Sequence, residues 1–280
     1  MKFISKELIV DEVSKLCIEA CTYIDKNVLN KIKECSKKEV GLAKNILEQI
    51  IENDILASEE NIPMCQDTGV VIAFVELGNE VFIDGDLTEL ISLGVKKGYT
   101  EGYLRKSMVS SPLKRVNTQN NTPAIVHIKT TLGDKLKITI CPKGAGSENM
   151  SQVKMLSPSE GILEIKKFVI DVIKNASGRA CPPLIVGVGI GGDLEKSCII
   201  AKEALLRDIN DESSDEMANK LEKELLKEIN DLNIGPMGLK GKTTALAVKV
   251  NLFPCHIASL PVCVNLMCHA SRHKEVVLWK

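Results

Sequence analysis

The sequence predicts a mixed α/β fold, and three observations predict it. Apolar residues recur at helical spacing through the first sixty or so positions, β-branched runs bounded by turn residues follow, and amphipathic stretches then alternate with further strand-like runs. The chain has 280 residues, 44% of them hydrophobic, so it can bury a full core. At ~100–200 residues per domain this allows two sub-lobes, a helical N-terminal lobe over 1–60 and a sheet-containing lobe over 61–280 that carries the cysteine loops.

The elements follow in order. Leu8, Val13, Leu16 and Ile18 share one helical face, and Leu42, Ile46, Leu47, Ile50 and Ile51 share another. The apolar, β-branched run 70–77 reads as a strand, and 123–130 and 136–141 alternate more plainly. Residues 159–175 are amphipathic, with Pro158 ahead of them as a helix-start signal. Residues 184–188 read as a buried strand, 193–207 as a helix, 208–215 as an acidic loop and 215–232 as a charged surface helix. Strands return at 245–251 and 276–279. There is no internal repeat and no low-complexity linker.

Charge and the termini narrow the function classes. Lys+Arg number 36 against Asp+Glu 37, a net charge of −1, which offers no nucleic-acid footprint but leaves small anionic substrates open. The opening Met1-Lys2-Phe3-Ile4-Ser5-Lys6-Glu7 interrupts its apolar residues with charges too early for a signal peptide. No uninterrupted apolar stretch approaches the roughly 20 residues of a membrane span. A cytoplasmic protein is expected, whose ten cysteines are reduced thiols, structural in some cases and ligands in others.

Several local motifs have bland readings that compete with functional ones. Gly187-Val188-Gly189-Ile190-Gly191-Gly192 fits G-x-G-x-x-G between a predicted strand and helix, yet no second parallel strand with a ribose-binding acid follows. Its glycines still allow close backbone approach, and the helix start beyond them could receive a carboxylate. Gly241-Lys242-Thr243 resembles the end of a P-loop, but Pro236 stands where the opening glycine is required. Asp67-Thr68-Gly69 matches the aspartic-protease triplet without a second copy. His269 and His273 have zinc-compatible spacing but no acidic neighbour, so surface or substrate-facing roles are favoured. Cys17 and Cys21 read as small buried residues of an amphipathic helix.

The run Ile62-Pro63-Met64-Cys65-Gln66-Asp67-Thr68-Gly69 is different, because a thiolate able to bind metal stands two residues before a carboxylate able to move a proton. Cys181 opens Cys181-Pro182-Pro183, where two prolines forbid a helix, and Cys268 heads a histidine- and arginine-bearing tail. These cysteines lie too far apart in sequence for a local zinc or ferredoxin signature. On spacing alone, Cys263 or Cys255 could replace Cys268.

Six segments in order add a resemblance. They are Met64 to Gly69, Arg115 to Ala124 (Arg-Val-Asn-Thr-Gln-Asn-Asn-Thr-Pro-Ala), Lys143-Gly144-Ala145-Gly146-Ser147-Glu148-Asn149, Cys181 to Gly192, Ile234-Gly235-Pro236-Met237-Gly238 and Cys268-His269-Ala270-Ser271-Arg272-His273. Together they resemble the alpha subunit of two-subunit class I fumarate hydratases, a match running from Asn61 to His273. Tartrate dehydratases share the cysteine framework, whereas the Asn-Thr-Pro-Ala and Lys-Gly-x-Gly-Ser-Glu-Asn segments look more like the fumarase branch. Ala145 stands where a third glycine is common, and Lys240 where glycine is usual.

The resemblance implies a 4Fe-4S cluster held by Cys65, Cys181 and Cys268, with one iron left open as a Lewis acid for the hydroxyl of malate or the water added to fumarate. It implies that Arg105 holds a substrate carboxylate with two donors, that Gln66 and His256 contact substrate, and that Gly144 and Gly146 present backbone donors. Asp67 is implied as the proton-handling acid. In single-chain relatives a C-terminal domain supplies the hydroxyl residue proposed as base. This sequence stops at Lys280, so the resemblance implies half an enzyme, completed by a separate beta subunit as α2β2. The alternatives are a tartrate or related hydroxy-diacid dehydratase, a non-catalytic iron-sulfur redox sensor and, third, a dinucleotide-dependent oxidoreductase.

Overall fold

The computed structural model describes residues 2–279. In chain order the elements are β1 (Lys2–Ile4), α1 (Lys6–Thr22), α2 (Lys26–Ser36), α3 (Gly41–Glu60), β2 (Val70–Gly78), β3 (Val81–Ile83), α4 (Leu87–Glu101), β4 (Ile125–Thr131) and β5 (Leu136–Lys143). They continue with α5 (Ala145–Glu148), β6 (Gln152–Leu156), α6 (Gly161–Ala176), β7 (Leu184–Gly191), α7 (Leu194–Ala204), α8 (Glu216–Asp231), β8 (Ala245–Phe253), β9 (Leu260–Met267) and β10 (Lys274–Leu278). The fold is mixed α/β, as the periodicities predict. Helices α1, α2 and α3 follow β1 within the first sixty residues and are divided between two compact units, the first made of Met1–Ile24, Asp54–Ala145 and Arg272–Lys280, the second of Asp25–Asn53 and Gly146–Ser271.

The first unit is built on a four-stranded sheet in the order β10-β5-β2-β4, with β2 and β4 parallel and the other pairs antiparallel. Helices α1 and α4 cover it, burying Ile9, Val13, Leu16, Ile91, Val95 and Tyr99 with Val71, Val75, Ile138 and Ile140 of the sheet. The two helices approach closely because α4 turns glycines toward α1. A Cβ at Gly94 would lie 2.6 Å from the Val13 Cβ, and one at Gly98 2.6 Å from the Ser14 carbonyl oxygen. Asp86 caps α4 by accepting from the Thr88 and Glu89 N–H groups.

The second unit carries the sheet β6-β9-β7-β8, in which β7 and β8 are parallel and β9 runs antiparallel to both β6 and β7. Successive residues of a strand face opposite sides. Val186 and Val188 join the core made with Phe168, Val172, Leu221 and Leu225 of α6 and α8, while Gly187 and Gly189 face α7. A Cβ at Gly189 would come within 2.1 Å of the Ser197 carbonyl oxygen, so the glycines here serve helix-on-strand packing. Strand β7 has a parallel partner in β8, but not one with the ribose-binding acid that a dinucleotide site needs. Strand β8 is reached only after α7, α8 and the acidic loop, and its end, Asn251–Phe253, carries no acid.

Loop 208–215 is anchored rather than loose. Asp211 takes both the Arg207 guanidinium, at 2.9 Å, and the buried Lys249 ammonium, at 2.6 Å. Among the described residues no helix is long and apolar enough to cross a membrane.

Candidate active site

In the first unit, the run after α3 forms a turn whose shape is dictated by Asp67 and Gly69. The Asp67 Oδ1 accepts the Gly69 N–H at 2.9 Å, a turn made by the side chain itself. Gly69 adopts φ +76° and lies so close to Lys143 that a Cβ would meet its backbone at 2.7 Å. Asp67 Oδ2 accepts the Ala145 N–H at 2.8 Å. Both carboxylate oxygens are thus oriented by backbone donors, and each keeps a second lone pair for a proton or a ligand.

Neighbouring residues fix this turn from below. The Tyr99 hydroxyl donates to the Thr68 carbonyl at 2.5 Å, and the Asn121 amide donates to the Gly69 carbonyl at 3.2 Å. The Thr68 hydroxyl donates to the Arg105 carbonyl at 2.9 Å, which ties the arginine-bearing loop to the Cys65 run while the Arg105 side chain is exposed. The half-buried Cys65 thiol faces the Gln66 Oε1 at 3.6 Å, and Gln66 is exposed. Beneath, burial pushes the Cys21 thiol up to about 12, against the opposing pull of the Arg272 charge. Cys21 donates to the Thr68 carbonyl at 3.8 Å.

Gly144 is buried, and its reason for being glycine is steric. A Cβ there would stand 2.9 Å from an Arg272 guanidinium nitrogen and 3.3 Å from Asp67 Oδ2. Arg272, only 2% exposed, also donates through Nη1 to the Asp67 carbonyl. Sequence reasoning noted it as one member of a tail motif without giving it a role. A buried arginine between Ser271 and His273 has no local signal that separates it from a surface one.

In the second unit, Cys181 follows a 3-10 turn, Ser177–Ala180, and takes a left-handed conformation, φ 55° and ψ 63°. Its carbonyl accepts the His269 N–H at 3.3 Å, so the two loops bearing Cys181 and Cys268 adjoin. The Met237 N–H donates to the Pro182 carbonyl at 2.8 Å, bringing the Gly235–Gly238 segment to the same place. Cys181 and Cys268 are half-buried. Gly146, exposed, would accept a Cβ at 3.4 Å from the Arg179 carbonyl oxygen. His256 sits in an exposed turn after β8, its Nδ1 accepting the Ala258 N–H at 3.1 Å, beside an open pocket lined also by Gly192, Asp193, Lys196 and Phe253.

The other motifs resolve simply. Residues 268–273 are not helical, so the shared helical face required by a His269/His273 zinc pair is not formed. The Thr243 N–H donates to the buried Glu39 carboxylate at 2.6 Å, placing an acid where a P-loop would need a phosphate.

The donor chemistry fits an iron-sulfur cluster. Cys65, Cys181 and Cys268 are half-buried soft donors on irregular segments, and the ten cysteines, all among the described residues, enter no disulfide. Among the described residues no group of three His, Cys, Asp or Glu side chains is placed to hold a single metal ion. A cluster asks for a different arrangement, one thiolate for each ligated iron.

Comparison with known proteins gives this geometry a family. A sequence model described as fumarate hydratase (Fumerase) matches residues 10–277. A Methanocaldococcus jannaschii protein named "Putative L(+)-tartrate dehydratase subunit alpha" is 45% identical over 272 residues, 94% of this chain and 95% of that one. The L(+)-tartrate dehydratase subunit alpha of Escherichia coli strain UTI89 is 31% identical over 90% of this chain and 84% of its own length, and that of strain K12 is 30% identical over 92% and 86%. The match spans both compact units and every segment that carries the cysteines, and the chain belongs to the fumarate hydratase (Fumerase) family of hydro-lyases.

Proposed function

We propose that this chain is the alpha subunit of an iron-sulfur hydro-lyase that interconverts fumarate and (S)-malate, completed by a beta subunit as α2β2. The observation that carries the reading is the doubly clamped Asp67 carboxylate, two residues from Cys65 and held by the Gly144–Ala145 loop. Cys65, Cys181 and Cys268 would hold a 4Fe-4S cluster, which when bound supplies a Lewis acid for the substrate hydroxyl. The chain's own residues do the rest. The exposed Arg105 offers a planar pair of donors to one carboxylate of a dianion, and the exposed Gln66 amide and the His256 imidazole offer further polar contacts. The Gly144 and Gly146 backbones, without side chains in the way, let a carboxylate approach. Asp67 handles a proton through the lone pairs its two backbone donors leave open.

A second reading, dehydration of L(+)-tartrate, is favoured by the names of the relatives, all of them alpha subunits. A substrate panel decides. The chain is assembled anaerobically with its partner subunit, iron and sulfide, and offered fumarate, (S)-malate and L(+)-tartrate, with the alpha chain alone as control. Turnover of fumarate and malate by the complex, and not by the single chain, is expected. Turnover of tartrate with no activity on malate would replace the first reading by the second.

A further inference from the structure

We propose that Arg272 is the positioning residue for Asp67, an inference that rests on the hydro-lyase reading in which Asp67 handles the proton. A guanidinium that is only 2% exposed is costly to bury without dedicated partners. One of its nitrogens bonds the main chain of Asp67, and a second lies beside the loop that orients the carboxylate. Nη1 donates to the carbonyl of Asp67 itself, and Nη2 fills the space beside Gly144 where a Cβ would be 2.9 Å away. The next residue after Gly144 supplies the N–H that grips Asp67 Oδ2 at 2.8 Å. One cation therefore bonds the main chain that carries the carboxylate and packs against the loop that orients it. Its planar fork suits this double role, since the two nitrogens are held at a fixed separation that a lysine ammonium cannot reproduce.

A side chain at Gly144 would have to displace the guanidinium. Removing the fork leaves the Asp67–Ala145 hydrogen bond and the β2–β5 pairing in place but withdraws the donor to the Asp67 carbonyl, so the carboxylate loses part of what aims it. A misplacement of about 1 Å in a reacting group lowers turnover on the order of a hundredfold. Of the proposed substrate contacts, Arg105 and His256 lie on other segments and only the Gly144 backbone adjoins Arg272, so the loss is expected mainly in kcat.

The test compares R272Q and R272K with the parent and with R207Q in the cluster-loaded αβ complex. Arg207 pairs with the buried Glu222 and with Asp211 in the second unit and has no part in the proposed site, so R207Q reports what loss of a structural guanidinium does. R272Q should lose roughly a hundredfold in kcat with KM changed by less than about threefold, and R272K should fall between it and the parent. Iron and sulfide content should match the parent. Added guanidinium ion should restore part of the R272Q turnover and none of any R207Q deficit. The proposal is overturned if R272Q keeps kcat within about threefold, if KM rises with kcat unchanged, or if R207Q loses as much kcat. Should R272Q not fold, R272K decides on the same readout. A parent complex inert on every hydroxy-diacid would instead sink the hydro-lyase reading, whatever the variants do.

Discussion

Asp67 sits where a substitution can separate chemistry from folding. An amide in place of the carboxylate, Asp67→Asn, would keep the side-chain shape, but its NH2 would have to face one of two backbone donors, the Gly69 or the Ala145 N–H. This variant is expected to lower kcat by about 100- to 10,000-fold while iron and sulfide content stays at the parental level. Unchanged behaviour, with the cluster retained, would favour a non-catalytic iron-sulfur protein. Much of this neighbourhood was legible in the sequence, since Cys65, Gln66, Asp67 and Gly69 are consecutive or nearly so and each residue type has chemistry of its own. Arg272 was not, because its burial against residues some two hundred positions earlier follows from tertiary packing that no local pattern encodes.

At the level of elements, the glycines of β7 make a sharper case than any apolar run. Gly189→Ala would drive a methyl toward the Ser197 carbonyl oxygen, 2.1 Å from the ideal Cβ position, with the Ala201 nitrogen at 2.7 Å. Helix α7 would have to lift from the sheet. A loss of about 1–3 kcal/mol, read as a lower urea midpoint, is expected, and an unchanged midpoint would show that α7 yields without strain. The strands and helices with strong periodicity were legible: β2, β5, β7, β8, α6, α7 and α8 all fall where the pattern puts them. The elements that the pattern did not reveal have physical reasons. Helix α4 carries Gly94 and Gly98, poor helix formers kept for close packing on α1, and β1 and β3, three residues each, are too short to show alternation. No span was assigned to β9 either, although its apolar run stands just ahead of Cys268.

The whole molecule should be sensitive to alkali, for a reason set inside the first unit. Burial pushes the Cys17 thiol and the Tyr99 phenol well up, and Cys21 to about 12. In the unfolded chain these groups ionise from about pH 8.5 for thiols and about 10 for the phenol. The folded state therefore holds more protons above that range, so stability is fully present below about pH 8.5 and falls as the pH rises toward 12. Each proton so retained steepens the loss by about 1.4 kcal/mol per pH unit. Urea unfolding at about pH 8, 9 and 10, a series that brackets the unfolded thiol range, should show the decline, with a shallower slope in Cys17→Ala; a flat profile would mean that the thiols reach water. The mixed fold class was legible from composition and periodicity. The partition was not, because one unit draws on three separate stretches of chain and the other on two, and no linker composition marks the joins. That partition has a consequence during synthesis. Residues 146–271 leave the ribosome before Arg272 and β10 do, and at about 5–20 residues per second seconds pass in which Asp67 and Gly144 exist without their brace. A nascent chain that has already made Cys65, Cys181 and Cys268 still lacks the arginine that sets the acid. Emergence of Arg272, and not acquisition of the thiols, is then the event that makes the clasp complete, and a chain truncated just past Cys268 would carry every proposed ligand while leaving its carboxylate unaimed.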